Sequence, residues 1–323
     1  MCDGLKVTAI DKKKSIDIIV PVKNGGPSLI DNISKWMNQT IPSGWEVYVY
    51  LVDDGSDDGF PLKIRDLYLN NNMIKVLHNE EPKGRASACN QGADAGSSEF
   101  LAFFDADCFP ATLETISAFI NIIDENNSKL MFGSLNSNSN SFWGQYFQQV
   151  SNRREKLFLS GDKAAFTTAN CMIDRKLFYS AGKFDERYKM YGFEDKDLIL
   201  RLIALHNTVI YVKKAQVVHS DELSLKEICN KMYIAGKYTS KIFKEDHPVA
   251  YKKMSFYQAD MRDKKSIFVM IVNALKLIKK YILFLSNILL RLPLPYKFKA
   301  NIVKYCSGLY FAVGTSDSLQ NKH

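Results

Sequence analysis

Phe100-Leu101-Ala102-Phe103-Phe104, followed at once by Asp105-Ala106-Asp107, is the stretch that decides the fold. Five consecutive apolar residues without polar alternation describe a strand buried on both faces, as in a parallel sheet covered by helices. The aspartates end the run and leave a charged turn at the strand's carboxyl end. The same pattern recurs upstream. Residues 16–22 (IDIIVPV) run into Lys23-Asn24-Gly25-Gly26, and residues 47–52 (VYVYLV) run into Asp53-Asp54-Gly55-Ser56. Helical spacing occupies residues 28–38, 61–69, 85–95 and 113–123, and residues 74–77 read as a short strand. This alternation predicts an α/β fold: a mostly parallel sheet with helices on both faces. Ligands of such sheets bind at the carboxyl ends of the strands, where two of the three turns are acidic.

The chain has 323 residues, 46% hydrophobic and 24% charged, enough for one large α/β domain with an appendage. That balance excludes a disordered chain, a collagen-like repeat and a disulfide-stapled miniprotein. The net charge is +8, and nine Lys and Arg residues between positions 264 and 316, with no Asp or Glu among them, account for all of it. A nucleic-acid binder more often carries its positive charge on the main domain, so nucleic acid is not an expected partner. The six cysteines are scattered, without CxxC or zinc-ligand spacing, and the first residues lack the apolar core of a signal peptide. Both features lead us to expect a reducing cytosol.

In the second half, residues 142–159 carry Trp143, Tyr146 and Phe147 at helical spacing and read as a surface helix. Residues 167–173, 209–212 and 216–218 read as strands, the last running into His219. Residues 193–205 form a helix opening with Glu194, Asp195 and Asp197, and residues 225–243 are amphipathic. The tail SIFVMIVNALKLIKKYILFLSNILLRL (266–292) is apolar but interrupted by Lys276, Lys279 and Lys280, leaving uncharged runs of ten residues each. A bilayer span needs about 20 apolar residues. We therefore expect one or two helices lying in a membrane interface, their lysines reaching anionic headgroups. The alternative is a helical subdomain packed on the rest, or an oligomerisation surface. The expected division is a catalytic domain over 1–260 and a basic, apolar helical region over 261–323.

Each polar cluster has two readings. Asp105 and Asp107 at a strand end suit Mg²⁺ or Mn²⁺, or are two solvated loop carboxylates. Residues 53–59 (DDGSDDG) are a binding loop, or only a turn. Glu194-Asp195-Lys196-Asp197 is catalytic, or complements a helix dipole. Lys83-Gly84-Arg85 at a helix start suits a phosphate, or is a basic cap. His219 is a ligand or a structural histidine.

The ordered set PVKNG, VDDGSDDG, KGRASACNQG, FFDADC, FDERYKMYGFEDKDLILRL and VVH, over roughly residues 15–220, resembles the family 2 inverting glycosyltransferases of GT-A fold, which implies a Rossmann-like, mostly parallel mixed sheet flanked by helices. The resemblance implies a hexosyl- or N-acetylhexosaminyltransferase. Pro21, Lys23, Asp53, Asp54 and Arg85 would line the nucleotide pocket, with Asp54 at the base, most often uracil. Lys23 stands where the family commonly has Tyr or Phe. Asp105 would reach the ribose or the metal's shell, and Asp107 would hold a Mn²⁺ or Mg²⁺ bridging the donor's phosphates, with His219 as a further contact. Asp195 matches the general base, with Glu194 beside it. The QxxRW motif of processive synthases is absent, so one sugar per encounter is expected. The implied partners are a nucleotide-sugar donor, most simply UDP-linked, and a glycan or lipid-linked acceptor. The implied setting is assembly of a cell-surface polysaccharide such as lipopolysaccharide or capsule, at the inner face of the cytoplasmic membrane. Three rivals are a degenerate nucleotide-binding relative, a sugar nucleotidyltransferase and a purely structural membrane-surface protein. The second would need an Arg-containing loop after the first strand, and the third leaves the acidic clusters unexplained.

Overall fold

The computed structural model describes residues 13–219 and 223–320; Cys2, the opening stretch read for a leader, and His323 lie outside the described residues. Among the described residues, strands β1 (Lys14–Val22), β2 (Trp45–Asp53), β3 (Ile74–His78), β4 (Phe100–Phe104), β5 (Cys108–Pro110), β6 (Leu130–Asn136), β7 (Asn170–Asp174) and β8 (Ile210–His219) form one sheet. Its order is β3-β2-β1-β4-β7-β6-β8-β5. The four strands from β3 to β4 are mutually parallel, as their unbroken apolar runs require. β7 and β5 run against their neighbours, so the sheet is mixed.

Both faces are covered. Ile16, Ile18, Val20 and Phe104 pack toward α1 (Ser28–Met37) on one side, while Ile19, Val52, Leu101 and Phe103 pack toward α3 (Arg85–Ala95) on the other. The small residues of α3, Ala86, Ala88, Cys89 and Ala93, are fully buried and let that helix lie close against β1 and β2. The remaining helices of this half are α2 (Phe60–Leu67), α4 (Thr115–Asn126), α5 (Phe142–Leu159), α6 (Arg175–Ser180) and α7 (Glu194–Leu205).

Several expectations need correction. β5, β6 and α6 were not foreseen. The two strands read at 209–212 and 216–218 are one, β8, with a register shift opposite Gly133/Ser134. The helix at 142–159 has the expected limits but is no mere surface helix. Phe142, Trp143 and Tyr146 pack into the C-terminal helices, and Phe147 lies against His219.

The rest of the chain is helical: α8 (Leu225–Ile234), a π-turn (Ala235–Thr239), α9 (Ser240–Asp246), α10 (Pro248–Lys253), α11 (Phe256–Ala259), α12 (Ser266–Arg291) and α13 (Tyr296–Gln320). The tail expected as one or two helices is the single 26-residue α12. α13 packs on α8 and the π-turn, and the 260/261 division falls inside this assembly, where Arg262 pairs with Asp260. The backbones nearly touch. A Cβ on Gly236 would meet Phe311 O at 2.4 Å, and one on Gly314 would meet Tyr233 O at 2.3 Å.

α12 presents a continuous outward face of Ile267, Met270, Ile271, Leu277, Tyr281, Phe284, Leu285 and Ile288, all exposed. Lys276 and Lys279 do not flank that face as expected. Lys276 pairs inward with Asp317 (2.6 Å), and Lys279 lies over the Tyr233 and Tyr310 rings. Among the described residues no helix is long and apolar enough to cross a membrane.

Candidate active site

The carboxyl ends of β1, β2 and β4 open into a cleft of about 750 Å³. Pro21, Lys23, Asp54, Arg85, Asp105, Asp107 and Glu194 line it, so the structure brings most of the expected site together. Lys83, Lys189 and Lys231 add positive charge to the walls, which suits a diphosphate. Lys189, Lys231 and the neighbouring Tyr191 had drawn no reading. Tyr191 lay inside a quoted motif, but Lys231 comes from α8 and has no local signal.

The loop after β2 is built by its own carboxylates. Asp53 is buried; its Oδ1 accepts the Ser56 amide (2.9 Å) and its Oδ2 meets His78 Nδ1 (2.7 Å). Asp54 accepts the backbone amides of Lys83 (2.7 Å) and Gly84 (2.8 Å). Asp58 accepts those of Gly26 and Phe60, and Asn24 bonds Ser56 and Asp57. Residues 53–59 thus knit the loops after β1 and β3 to β2, as the turn reading required. Gly84 is obligatory at φ +96, where a Cβ would lie 2.4 Å from Lys189 O. That close approach seats Arg85 at the start of α3, facing the end of β4.

Arg85 is the hub of the site. Its Nε (3.0 Å) and Nη2 (2.7 Å) donate to Asp105 Oδ1, and its Nη1 donates to Asp195 Oδ1 (2.8 Å). Both Nη atoms also reach Thr168 Oγ1 at 3.2 Å. The fully buried Thr168 hydroxyl itself donates to Asp195 Oδ1. Both contacts fall on one oxygen. Asp195 Oδ2 makes no hydrogen bond among the described residues, so the carboxylate is held in orientation with one oxygen open. Burial opposes the charge on Arg85, but its carboxylate partners outweigh it and hold the guanidinium charged. Burial, with Asp107 and Asp195 nearby, keeps the Asp105 carboxyl above its ordinary range despite Arg85.

Glu194 and Asp195 open α7, and the residue before them is Phe193 at φ +72. A non-glycine residue in that left-handed region costs about 1 kcal/mol or more. Phe193 is held there by aromatic contacts with Phe243, Tyr251 and Phe256. Glu194 is buried and accepts the Gly192 amide (2.9 Å). Burial, reinforced by Asp195, pushes Glu194 up to about 7. Asp197 serves the fold instead, pairing with Arg201 and His247 (2.8 Å).

Asp107 lies on the other wall. The β5–β8 register sets Cys108 opposite His219, and His219 Nε2 meets Asp107 Oδ2 at 3.0 Å. Burial raises the Asp107 carboxyl, but the His219 contact overrides it and holds it below its ordinary range. Among the described residues no group of three or more His, Cys, Asp or Glu side chains could hold a metal. The pair of Asp107 oxygen and His219 nitrogen suits Mn²⁺ or Mg²⁺ only if a ligand's phosphate oxygens complete the shell. Asp105, expected near that metal, has one oxygen taken by Arg85.

Residues 17–182 match the family model for glycosyl transferase family 2. The pre-mycofactocin glycosyltransferase of Mycobacterium tuberculosis is 25% identical over 240 residues, covering 69% of this chain and 46% of its own. The Escherichia coli UDP-Glc:alpha-D-GlcNAc-diphosphoundecaprenol beta-1,3-glucosyltransferase WfgD is 32% identical over 132 residues, covering 41% of this chain and 50% of its own. The alignments thus span about half the length of these curated relatives. Among solved structures, the mannosyltransferase PcManGT from Pyrobaculum calidifontis, in complex with GDP-Man and Mn²⁺, superposes with a TM-score of 0.61. That match covers 96% of this chain and 88% of that one at 15% identity, a likeness of fold.

Proposed function

This chain belongs to glycosyl transferase family 2, and we propose on that premise that it transfers one sugar, with inversion, from a nucleoside-diphosphate donor to an acceptor hydroxyl. The observation that carries this reading is Asp195, oriented through one oxygen by Arg85 and Thr168 and open at the other. The donor's diphosphate lies along the basic cleft beyond β1, β2 and β4. The acceptor oxygen attacks the anomeric carbon from the opposite face. Its proton passes to Asp195, the bond from that carbon to the phosphate oxygen breaks, and the electron pair leaves on the diphosphate. Asp107 and His219 would hold a Mn²⁺ or Mg²⁺, which supplies charge stabilisation on the departing phosphate. Arg85 keeps Asp195 aimed. Asp54, with both oxygens on backbone amides, shapes the wall of the nucleotide pocket.

UDP is the favoured nucleotide, in line with the donor named for the Escherichia coli relative. The outward face of α12 supports peripheral attachment to a lipid surface, and with it a glycan or lipid-linked acceptor in cell-surface polysaccharide assembly. The deciding experiment is nucleotide release from UDP-, GDP- and dTDP-sugars, with Mn²⁺ and with EDTA. Slow, metal-dependent release from one donor supports the reading. Neither release nor binding of any nucleotide, with intact folding, overturns it in favour of a degenerate relative. For the membrane, Leu277→Glu with Phe284→Glu should abolish flotation with anionic liposomes; unchanged flotation removes α12 as the contact.

A further inference from the structure

Lys231 lines the cleft from beyond residues 17–182, the stretch that carries the family match. The face of α8 on which it sits is turned to the loop before α7. Lys231, Ala235 and Thr239 follow at four-residue spacing, which keeps side chains on one helical face. All three meet residues 191–192. Lys231 Nζ stands 5.4 Å from the centre of the Tyr191 ring, and Thr239 Oγ1 donates to Tyr191 O (3.1 Å). A Cβ on Gly192 would lie 2.9 Å from Ala235 Cβ. Cys229, about 200° away around the helix, is fully buried with its Sγ 3.5 Å from Cys306 Sγ on α13. The helix is therefore held from behind by α13 and aimed at the cleft from the front.

A cleft of about 750 Å³ holds one ligand of nucleotide size, so a cation on its wall faces whatever fills it. Among the described residues Lys231 Nζ makes no hydrogen bond or ion pair. The Tyr191 ring steadies the ammonium and leaves its N–H donors to a ligand. Asp107 shares the cleft, and beyond burial and the His219 contact the Lys231 charge also lowers its carboxyl. A sugar nucleotide with a neutral sugar carries its charge on the two phosphates alone. The diphosphate is therefore the part of the donor that an ammonium on this wall meets.

We propose that Lys231 is a further catalytic residue: its Nζ donates to a phosphate oxygen of the donor and stabilises the diphosphate as it departs. The inference rests on the reading of the cleft as the donor site. Lys231 stays an ammonium and takes no part in the proton transfer to Asp195. As the bond between the anomeric carbon and the phosphate oxygen breaks, the electron pair moves onto the diphosphate, and a fixed positive charge there lowers the barrier. The C-terminal helices then supply part of the active site as well as its support.

The test is titration of the whole protein, with Mg²⁺ present, with pyrophosphate and with UDP, GDP and dTDP, each nucleotide beside its own nucleoside. Lys231→Gln should weaken pyrophosphate and the preferred nucleotide about tenfold and leave the nucleoside unchanged. Lys231→Arg, which keeps the charge, should restore most of the affinity. Lys231 is solvent-exposed, so both variants should melt with the native protein. Unchanged pyrophosphate binding in Lys231→Gln overturns the proposal. So does an equal loss of nucleoside, which marks a displaced wall rather than a lost phosphate contact. Native protein that binds pyrophosphate but no nucleotide would strike the donor reading, and the pyrophosphate comparison would still decide the role of Lys231. Native protein that binds neither removes both.

Discussion

Two groups of carboxylates stand around one cleft and do opposite things. The aspartates after β2 are held mainly by backbone amides: Asp53 takes that of Ser56, with His78 on its other oxygen, Asp54 takes those of Lys83 and Gly84, and Asp58 those of Gly26 and Phe60. Asp105 and Asp107 beyond β4, and Asp195 on α7, meet side chains instead, with Arg85 between Asp105 and Asp195 and His219 on Asp107. An amide-bonded carboxylate fixes the chain and has little left to offer a ligand. A carboxylate held at one oxygen by a guanidinium keeps the other for chemistry. Residue type alone does not separate the groups; the partner does.

The sharpest way to break this contrast is Asp195→Asn. The amide oxygen can still accept from Arg85 and Thr168, so donor binding should change little, while turnover falls about 10³-fold. Wild-type turnover in steady-state assays would move the base elsewhere. Arg85→Met comes next. It leaves Asp105 and Asp195 without their cation, and breaking such a pair costs about 3 kcal/mol. Chemical denaturation should show that loss together with loss of transfer; a stable, active variant would dismiss Arg85 as the hub.

Glu194 gives a pH test. With its folded pKa near 7, above the ordinary carboxylate value, its contribution to stability is complete at acid pH and is lost as pH rises through about 7. Glu194→Gln should therefore gain on the native protein between pH 5 and pH 8, by on the order of 2 kcal/mol, read from melting curves. A pH-independent difference would place Glu194 in an ordinary environment. The smallest effect belongs to the loop. Asp58→Ala should cost about 1 kcal/mol with unaltered turnover per folded molecule. A large loss of turnover would return the second aspartate pair of the DDGSDDG loop to the chemistry.

How much of this was legible in the sequence follows the same divide. The run into Asp105 was readable because an unbroken apolar strand that stops at charges has few other meanings. Residues 53–59 were readable as a turn, since Asp and Gly there act on neighbouring amides. Arg85 was readable as a cleft residue but not as a hub, because Thr168 and Asp195 lie 83 and 110 positions away and long-range pairing leaves no local mark. β6 carries a mid-strand glycine, and α6 is only six residues long, so neither has a clear period. The inward turn of Lys276 depends on Asp317, one helix later.

The contact of Gly236 and Gly314 with the opposing backbones has a consequence for engineering. Neither glycine can accept even a methyl group, so α13 cannot slide or be replaced on the π-turn without new clashes. The C-terminal helices are therefore no portable cassette. A chimera that exchanges them for those of another transferase must carry both glycines and their register, or the graft will splay the joint and shift Lys231 away from the cleft.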